Sequence, residues 1–311
     1  MRFNMAKIFI DGSAGTTGLR IAERLEARQD IEIIKLPEEL RKDTNARQEA
    51  LNSADVAFLC LPDAAAIDAV ELVTNPNTVI IDTSTAHRVA DGWDYGFPEL
   101  EGQKDKLKNS KRIANPGCHA SGFISLVAPL VQKGIISEDA KLSAFSLTGF
   151  SGGGKKMIAE YEDENRDALL KAPRQYGIAQ MHKHLPEMKE LCGLNSEPIF
   201  CPIVADYYAG MEVTVPLFKS DINGTIDDIK NAYKEYYKDG LVHFVDSADE
   251  SGFLSANAFE GRDDMQITVT GNDDRILLVS RFDNLGKGAS GSAIQNMNLV
   301  LGYPENTGLI V

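Results

Sequence analysis

The sequence predicts two domains, an α/β domain built on a parallel sheet and an α+β domain with longer strands. Three observations predict this fold class. A chain of 311 residues fits two domains of ordinary size. As far as residue 118, short apolar runs alternate with segments of helical spacing, which is the pattern of successive βαβ units. Beyond that point, alternating segments rich in β-branched residues indicate an antiparallel or mixed sheet.

The first domain begins with a strand, a tight loop and a helix. "AKIFIDG" ends at Gly12 as a buried strand, and the apolar residues of "TTGLRIAERLEAR" recur at helical spacing. Because helices connect the strands that follow, the sheet is expected to be parallel and covered on both faces. The further strands predicted are "IEIIKL" (31–36), "DVAFLCLP" (55–62), "TVIIDTST" (78–85) and "RIANPG" (112–117), with helices over "RQEALNSA" and "DAAAIDAVELV" and a charged loop or solvated helix at 101–111.

The second domain is predicted from four alternating segments. A last segment, "SGSAIQNMNLVLGY", has helical spacing and is expected to pack back on the first domain. The predicted boundaries are therefore 1–118, 119–285 and 286–311. The four strand segments are "AKLSAFSLTGFSGGG", "SEPIFCPIVADYYAGMEVTVPLF", "HFVDS" and "MQITVTGNDDRILLVSRFDN".

Composition excludes several classes of protein. With 46 acidic and 32 basic residues the formal charge is −14, and the basic residues are scattered, so neither nucleic acid nor an anionic membrane is expected as a partner. No apolar run approaches the roughly 18 residues of a spanning helix, and "MRFNMAKIFI" lacks a signal-peptide layout. A cytoplasmic protein is expected. The 4 cysteines show no CxxC spacing, which predicts reduced thiols and no metal site.

The loop after the first strand, "DGSAGTTG", has the features of a dinucleotide-binding loop. Its glycines allow a turn with positive φ and let backbone N–H groups approach a pyrophosphate at the positive end of the following helix. A plain tight turn is the alternative, although the flanking strand and helix supply the context that a Rossmann domain requires. The candidate cofactor-binding residues are Gly12, Ser13, Gly15, Thr16, Thr17 and Gly18.

Basic residues near the end of the second strand favour NADP over NAD. A Rossmann site for NAD usually has an acidic residue there, whereas the 2′-phosphate of NADP needs cations. Lys35 lies in the strand, and Arg41 and Lys42 follow it, although Glu38 and Glu39 intervene. A solvated charged loop is the alternative interpretation.

Cys118 follows a Pro-Gly pair and precedes an apolar run of helical spacing. In the first turn of a helix, unpaired N–H groups and the helix dipole favour the thiolate, and the same N–H groups can hold an oxyanion. Free cysteines are nevertheless among the most buried residues, so an inert thiol is the alternative, and it is the interpretation for Cys60, Cys192 and Cys201.

Two of the 5 histidines lie in "MHKHLPEM". If this stretch is extended, His182 and His184 point to one face and border one site, with Glu187 near enough to orient an imidazole. Surface histidines without a catalytic role are the alternative.

Two further segments are candidates for binding an anionic substrate. "GFSGGGKKM" combines Ser151, three glycines and Lys155 with Lys156, which suits a phosphate-binding nest or a flexible turn. Arg88 follows the fourth strand, where doubly wound folds place ligand contacts, and its guanidinium can grip a carboxylate. A surface ion pair is the ordinary alternative for Arg88.

Taken in order, "GSAGTTG", "STAHR", "NPGCHASG", "SGGGKK", "HKHLPEM" and "DNLGKGASGSAIQNMNL" resemble the short form of the N-acetyl-gamma-glutamyl-phosphate reductase family, from about Lys7 to Gly302. "NPGC" followed by "HKHLPEM" is far more specific than the glycine loop. Four residues precede the usual start of the family, so Met5 is suggested as the ordinary initiator and "MRFN" as an extension.

The resemblance implies a Rossmann domain with an inserted catalytic domain, as in the semialdehyde and glyceraldehyde phosphate dehydrogenases. It further implies NADPH-dependent reduction of N-acetyl-L-glutamyl 5-phosphate to the 5-semialdehyde, in arginine biosynthesis, by a homo-oligomer that is a dimer or tetramer. By the same resemblance Cys118 is the nucleophile, His182 and His184 supply the acid/base, with His184 preferred, and Glu187 orients them. Arg88 contacts the substrate, and Asn284 and Gly288 lie by the nicotinamide.

Three other functions remain open on the sequence alone. Aspartate-semialdehyde dehydrogenase has the same chemistry, but the histidine pair favours the first choice. A catalytically silent dinucleotide-binding sensor would need an unreactive Cys118, and a cysteine hydrolase would not need the glycine loop.

Overall fold

The computed structural model describes residues 5–13 and 15–311. They form two compact units. The first contains the described residues up to Pro116 together with Ala289–Leu309, and the second contains Gly117–Gly288 together with Ile310–Val311. The suggested extension "MRFN" lies outside the described residues.

The first unit is built on a six-stranded parallel sheet, in the order β2-β1-β3-β4-β6-β5. The sheet confirms the parallel arrangement expected from alternating strands and helices. Its strands are β1 (Ala6–Asp11), β2 (Ile31–Ile34), β3 (Val56–Leu59), β4 (Val79–Asp82), β5 (Asp94–Tyr95) and β6 (Arg112–Ala114). Its helices are α1 (Thr16–Glu26), α2 (Thr44–Ser53), α3 (Asp63–Glu71), α4 (Gln103–Lys108) and, near the end of the chain, α9 (Gly291–Leu301).

Helices cover both faces of this sheet, because alternate residues of each strand face opposite sides. In β1, Ile8 and Ile10 pack in one apolar cluster with α1, α4 and α9. Phe9 packs in a second cluster, on the other face, with α2 and α3. The central strands β3 and β4 are therefore buried throughout and almost entirely apolar, as is typical of parallel strands covered on both faces.

The second unit is built on a seven-stranded mixed sheet, in the order β11-β12-β13-β10-β7-β9-β8. Only β11 with β12, and β7 with β9, pair in parallel. Its strands are β7 (Ser143–Gly149), β8 (Arg174–Gln175), β9 (Ile199–Ala205), β10 (Met211–Phe218), β11 (Val242–Phe244), β12 (Met265–Gly271) and β13 (Arg275–Phe282). Its helices are α5 (Cys118–Gln132), α6 (Gly154–Glu162), α7 (Leu185–Glu190) and α8 (Ile226–Tyr236).

Helix α5 packs on one face of the second sheet, against β10 and β13, and is buried from His119 to Leu130. Gly122 lies so close to Val213 and Phe282 that a larger side chain would collide with them. The opposite face of the sheet carries exposed apolar residues, among them Phe145 and Leu277.

Several segments differ locally from the prediction. The edge strand β5 was not predicted, whereas the stretch 101–111 contains the helix α4, which is one of the two alternatives expected there. "MHKHLPEM" is not extended, because it forms a turn that leads into α7. The glycines before Lys155 form a 3-10 turn, Phe150–Gly153, that continues into α6, and Gly286–Ser290 is a π-helical turn.

Gly117 and Cys118 group with the second unit, whereas the sequence places the boundary after Cys118. The reason is that Cys118 is already the first residue of α5, which packs on the second sheet. No helix among the described residues is long and apolar enough to cross a membrane.

Candidate functional site

The glycine loop of the first unit joins β1 to the start of α1. Gly12 has a φ of +86°, and a Cβ at Gly18 would lie 2.6 Å from the carbonyl oxygen of Gly12. Gly15 is the N-cap of α1, and its N–H donates to the Gly12 carbonyl at 3.0 Å. Among the residues that the structure describes, no side chain caps this helix, so the backbone N–H groups of its first turn face the loop without a competing side-chain acceptor. The backbone therefore fits a phosphate at this position.

Directly before this loop, the buried carboxylate of Asp11 at the end of β1 pairs with Arg47 of α2. The Arg47 Nη2 and Nε atoms lie 2.8 and 3.1 Å from Asp11 Oδ2. The two side chains are 17% and 5% exposed, respectively. Arg47 therefore neutralises a carboxylate at the edge of the sheet where an anionic cofactor is expected.

The basic residues after β2 lie at the surface. Arg41 is exposed and ends the 3-10 turn Glu38–Leu40. Lys35 is also exposed, and its Nζ lies 2.6 Å from Glu26 Oε1, so this lysine already has a partner. Arg41 is thus the more available cation of the two for a 2′-phosphate.

Arg88 is anchored at the carboxyl edge of the first sheet. Its Nε donates to the Asn115 carbonyl at 3.0 Å and its Nη2 to the Thr83 carbonyl at 3.3 Å. The preceding His87 is buried. Its Nδ1 lies 2.6 Å from Asp82 Oδ2, and its ring stacks on that of Trp93. The "STAHR" motif is therefore a fixed segment at the edge where α/β sheets bind ligands.

Cys118 is the first residue of α5 and is half-buried. Gly117 is the N-cap, and its N–H donates to Glu187 Oε2 at 3.0 Å. Gly288 packs against the thiol residue, since a Cβ there would lie 2.9 Å from Cys118 Cβ. Helix-start N–H groups and the dipole of a helix buried along most of its length favour a thiolate here.

Glu187 thus accepts a hydrogen bond from the backbone N–H of the residue before Cys118, and it also lies in the segment of the two histidines. It is buried, with only 1% of its surface exposed, in the first turn of α7. Its contact with Gly117 joins the start of α5 to the segment that carries both candidate histidines. The structure therefore brings Cys118, His182, His184 and Glu187 into one region of the second unit.

The histidine rings form a cluster around His119. The ring of His182 lies 4.7 Å from that of His184, and the ring of His119 lies 5.8 and 5.6 Å from those two. His184 is buried and His182 is half-buried. The His184 backbone N–H donates to His182 Nδ1 at 3.3 Å, which leaves the proton of a neutral His182 on Nε2.

His119, to which the sequence assigned no role, is held by hydroxyl groups on both sides. Its Nδ1 lies 2.6 Å from Ser146 Oγ and its Nε2 lies 2.6 Å from the Tyr176 hydroxyl. Burial, with a smaller effect of His182, lowers the pKa of His119 to about 3. His119 is therefore uncharged at neutral pH, and its ring packs against those of His182 and His184.

We expect the buried neutral His119 to make the protein sensitive to acid. The unfolded chain binds a proton at a pKa near 6.5, whereas the folded chain resists it until about pH 3, so stability is lost as the pH falls between these values. At pH 5 the loss is about 2 kcal/mol of the free energy of unfolding. The difference between the free energies of unfolding obtained by urea titration at pH 8 and at pH 5 measures this loss.

His119→Phe should reduce this difference between the two pH values by about 2 kcal/mol. The control is His243→Phe, which replaces a half-exposed histidine of β11. An unchanged pH dependence in His119→Phe would contradict the assignment.

The predicted phosphate-binding segment is only partly buried. Ser151 is buried and its Oγ accepts a hydrogen bond from Asn284 Nδ2 at 3.0 Å, while Asn284 Oδ1 accepts from the Gly210 N–H at 2.9 Å. Lys155 is exposed in the first turn of α6. Asn284 and Gly288, predicted as nicotinamide contacts, thus lie in the second unit beside Ser151 and Cys118 respectively.

No sequence pattern pointed to Arg47, His119, Tyr176 or Ser146. The partners of Arg47 and His119 are 36, 27 and 57 residues away, so no local spacing reveals them. The available signals were the charge of Asp11 next to a cofactor loop and the placement of a histidine directly after the candidate nucleophile. Within the described residues no cluster of metal-ligating side chains occurs.

Two family models match the chain. One is described as "Semialdehyde dehydrogenase, NAD binding domain" and covers 37–110, which begins after the glycine loop. The other is described as "Semialdehyde dehydrogenase, dimerisation domain" and covers 118–284.

Named relatives and solved structures agree with these models. "N-acetyl-gamma-glutamyl-phosphate reductase 2" of Nostoc sp. is 44% identical over 98% of this chain and 100% of its own length. The reductase of Sinorhizobium medicae is 44% identical over 95% and 98%. Aspartate semialdehyde dehydrogenase II of Vibrio cholerae, complexed with ASA, has a TM-score of 0.72 and covers 96% of this chain and 99% of that chain, at 15% identity. That likeness shows the fold alone.

A parallel dinucleotide-binding sheet and a mixed sheet that matches the dimerisation model define an oxidoreductase of the semialdehyde dehydrogenase class, which uses a nicotinamide dinucleotide. Within this class, the chain belongs to the N-acetyl-gamma-glutamyl-phosphate reductase family.

Proposed function

We propose that the enzyme reduces N-acetyl-L-glutamyl 5-phosphate with NADPH to N-acetyl-L-glutamate 5-semialdehyde and phosphate, as a step of arginine biosynthesis. One observation carries the proposal. Cys118 stands at the first position of α5, with its N-cap held by Glu187 of the segment that bears two histidines. This arrangement suits an acyl-transfer reaction that proceeds through a thioester.

In the first half of the reaction, the Cys118 thiolate attacks the carbonyl carbon of the acyl phosphate. The new S–C bond forms as the C–O bond to phosphate breaks, so the products are a thioester and inorganic phosphate. The acyl phosphate is already activated, and the enzyme must therefore supply mainly a soft nucleophile and donors for the oxyanion. Gly117 N–H is engaged with Glu187, so the later N–H groups of the first turn of α5 are the donors proposed for that oxyanion.

In the second half, the thioester carbonyl becomes a thiohemiacetal alkoxide, which collapses to the aldehyde and regenerates the thiolate. When bound, the reduced nicotinamide cofactor supplies the hydride for this conversion. The loop around Gly12, Gly15 and Gly18 would hold the cofactor pyrophosphate, with Ser13, Thr16 and Thr17 beside it.

His182 is proposed as the group that donates a proton to the alkoxide and takes it back as the aldehyde forms. It is half-buried, and the His184 N–H at its Nδ1 leaves Nε2–H as the donor. His184 is buried at the start of α7 and is proposed, with Glu187, to support the turn. This assignment reverses the preference for His184 drawn from the sequence.

The substrate and cofactor contacts complete the proposal. Arg88 is proposed to bind a substrate carboxylate, while Ser151 and Lys155 receive the leaving phosphate. Asn284 and Gly288 are proposed to shape the nicotinamide side of the site. Arg41 is proposed to bind the 2′-phosphate and to confer the preference for NADP.

The proposed assembly is a homo-oligomer, a dimer or tetramer, in the cytoplasm. The exposed apolar residues on the outer face of the second sheet support an association between copies of this chain. The match of this unit to a dimerisation model supports it as well.

The test is a phosphate-dependent assay of semialdehyde oxidation with NADP. N-acetylglutamate semialdehyde should give at least about a 100-fold higher kcat/KM than aspartate semialdehyde, because the site must pair the groups that distinguish them. NADP should be preferred over NAD, and omission of phosphate should stop turnover. A preference for aspartate semialdehyde would overturn the substrate, and cofactor binding without turnover would favour a sensor.

A further inference from the structure

The turn that leads into His182 has an unusual backbone. Among the described residues, Gln180 and Ser251 are the two non-glycine residues with positive φ, and Gln180 has a φ of 54°. This left-handed conformation is unfavourable for a residue with a Cβ, because the Cβ comes too close to the following carbonyl oxygen. Such a conformation persists where surrounding contacts enforce it, and it is concentrated at functional sites.

The side chain of Gln180 supplies these contacts. Its Nε2 donates to the Phe200 carbonyl at 2.7 Å, and the Phe200 N–H donates to its Oε1 at 2.9 Å. Both backbone groups of one residue in β9 are thus paired with a single side-chain amide. We call this pair of hydrogen bonds the Gln180 clamp.

The clamp continues a ladder of backbone hydrogen bonds. Strand β8 pairs with β9 in antiparallel register, and just beyond β8 the Tyr176 N–H donates to the Pro202 carbonyl at 3.0 Å. There the chain turns away through Gly177, which has a φ of 61°. At Phe200, two residues before Pro202 in β9, the Gln180 amide occupies the position of the next hydrogen-bonded residue of the ladder. The turn therefore remains hydrogen-bonded to the second sheet through the Gln180 side chain, although its backbone no longer pairs with β9.

The clamped residue also supports the histidine cluster. The Phe200 ring lies 5.1 Å from that of His182 and 5.3 Å from that of His119, and both contacts are edge to face. Tyr176, at the other end of the turn, lies 5.9 Å from His182. The clamp thus connects the residue two positions before His182 to the residue whose ring packs on it.

We propose that Gln180 is a positioning residue for His182, because its clamp to Phe200 fixes the turn that sets the orientation of the His182 imidazole. The inference rests on the proposed acid/base role of His182. Gln180 does not need to touch the substrate or the cofactor. Its effect is on the chemical step, because a misplaced proton donor lowers kcat far more than it lowers binding of the acyl phosphate.

The test replaces Gln180 with leucine, which retains most of the volume and removes both hydrogen bonds. We expect kcat to fall about 10- to 100-fold with KM changed less than about threefold, and the pH–rate limb due to His182 to shift. Gln180→Glu keeps the acceptor for the Phe200 N–H and should restore part of kcat. That variant also keeps the question answerable if Gln180→Leu fails to fold.

The matched control removes a similar clamp from the first unit. Asn52 Oδ1 accepts from the N–H groups of Thr74 and Asn75, each at 2.7 Å. Asn52→Ala should lower the Tm and leave kcat and the pH profile unchanged. Equal effects of the two substitutions on kcat would show that Gln180 is merely structural and would overturn the proposal.

His182→Asn, measured in the same assay, separates this inference from the proposed function. If His182→Asn is inactive while Gln180→Leu has the wild-type kcat and pH profile, the positioning role is wrong and the acid/base role stands. If His182→Asn keeps full activity, the acid/base role itself is wrong. Loss of kcat in both, with the shifted pH profile in Gln180→Leu, supports the positioning role.

Discussion

Replacing Cys118 with alanine should lower kcat by at least about four orders of magnitude, because no other group can form the thioester. NADPH binding should remain, since the glycine loop is in the other unit. Cys118→Ser should be nearly as inactive, as a serine hydroxyl is far less ionised than a helix-start thiol. Steady-state turnover and the fluorescence of bound NADPH measure the two properties separately.

The other thiols serve as controls. Burial raises the pKa of Cys60 to about 12 and raises that of Cys192 well above the usual range, so both stay protonated at neutral pH. Cys201→Ala removes a half-buried thiol of β9 and should leave kcat unchanged. Substantial turnover in Cys118→Ala would remove the nucleophile from the proposal.

Arg47→Met is expected to have the second large effect, on both folding and cofactor binding. It leaves the buried Asp11 carboxylate without its cation, which costs about 3 kcal/mol of the free energy of unfolding. The same uncompensated charge lies directly before the glycine loop and should repel the cofactor pyrophosphate. We therefore expect a lower midpoint in urea and a KM for NADPH raised by at least about tenfold.

A double variant distinguishes the charge effect from a packing effect. Arg47→Met together with Asp11→Asn removes both charges, and it should recover most of the lost stability and of the NADPH affinity. Arg28→Met is the matched control, because Arg28, whose side chain is 7% exposed, also pairs with an aspartate, Asp30, elsewhere in the first unit. If the double variant is no better than Arg47→Met alone, the charge of Asp11 is not the cause.

The first fold unit could be predicted because its signals are local. Most strands of the parallel sheet are short runs rich in apolar residues, and the helix after Gly12 shows its spacing directly. The edge strand β5 has only two residues, too few for a periodicity, and was missed for that reason. In the second unit, the alternation in segments such as β10 predicted an antiparallel or mixed sheet, and the structure confirms a mixed sheet.

A residue of the candidate site was predictable only where the residues next to it in the sequence already indicate its chemical role. Cys118 was found because a thiol follows a helix-start signal, and Glu187 because it lies close to His184. The contact of Glu187 with Gly117 joins residues 70 positions apart, and the Gln180 clamp joins residues 20 apart across a sheet edge. No single-sequence pattern specifies such pairs, because the first depends on how α5 and α7 pack together and the second on how the turn after β8 lies beside β9.

The burial of α5 has a consequence for how variation in this enzyme should be interpreted. The Cys118 thiol lies at the first position of α5, a helix that is buried in the second unit from His119 to Leu130. Gly122 packs directly against Val213, so a larger side chain at this position would displace α5 and, with it, Cys118 at its first position. Substitutions at core positions far from the reacting atoms can therefore lower activity by displacing Cys118, even where the protein still folds.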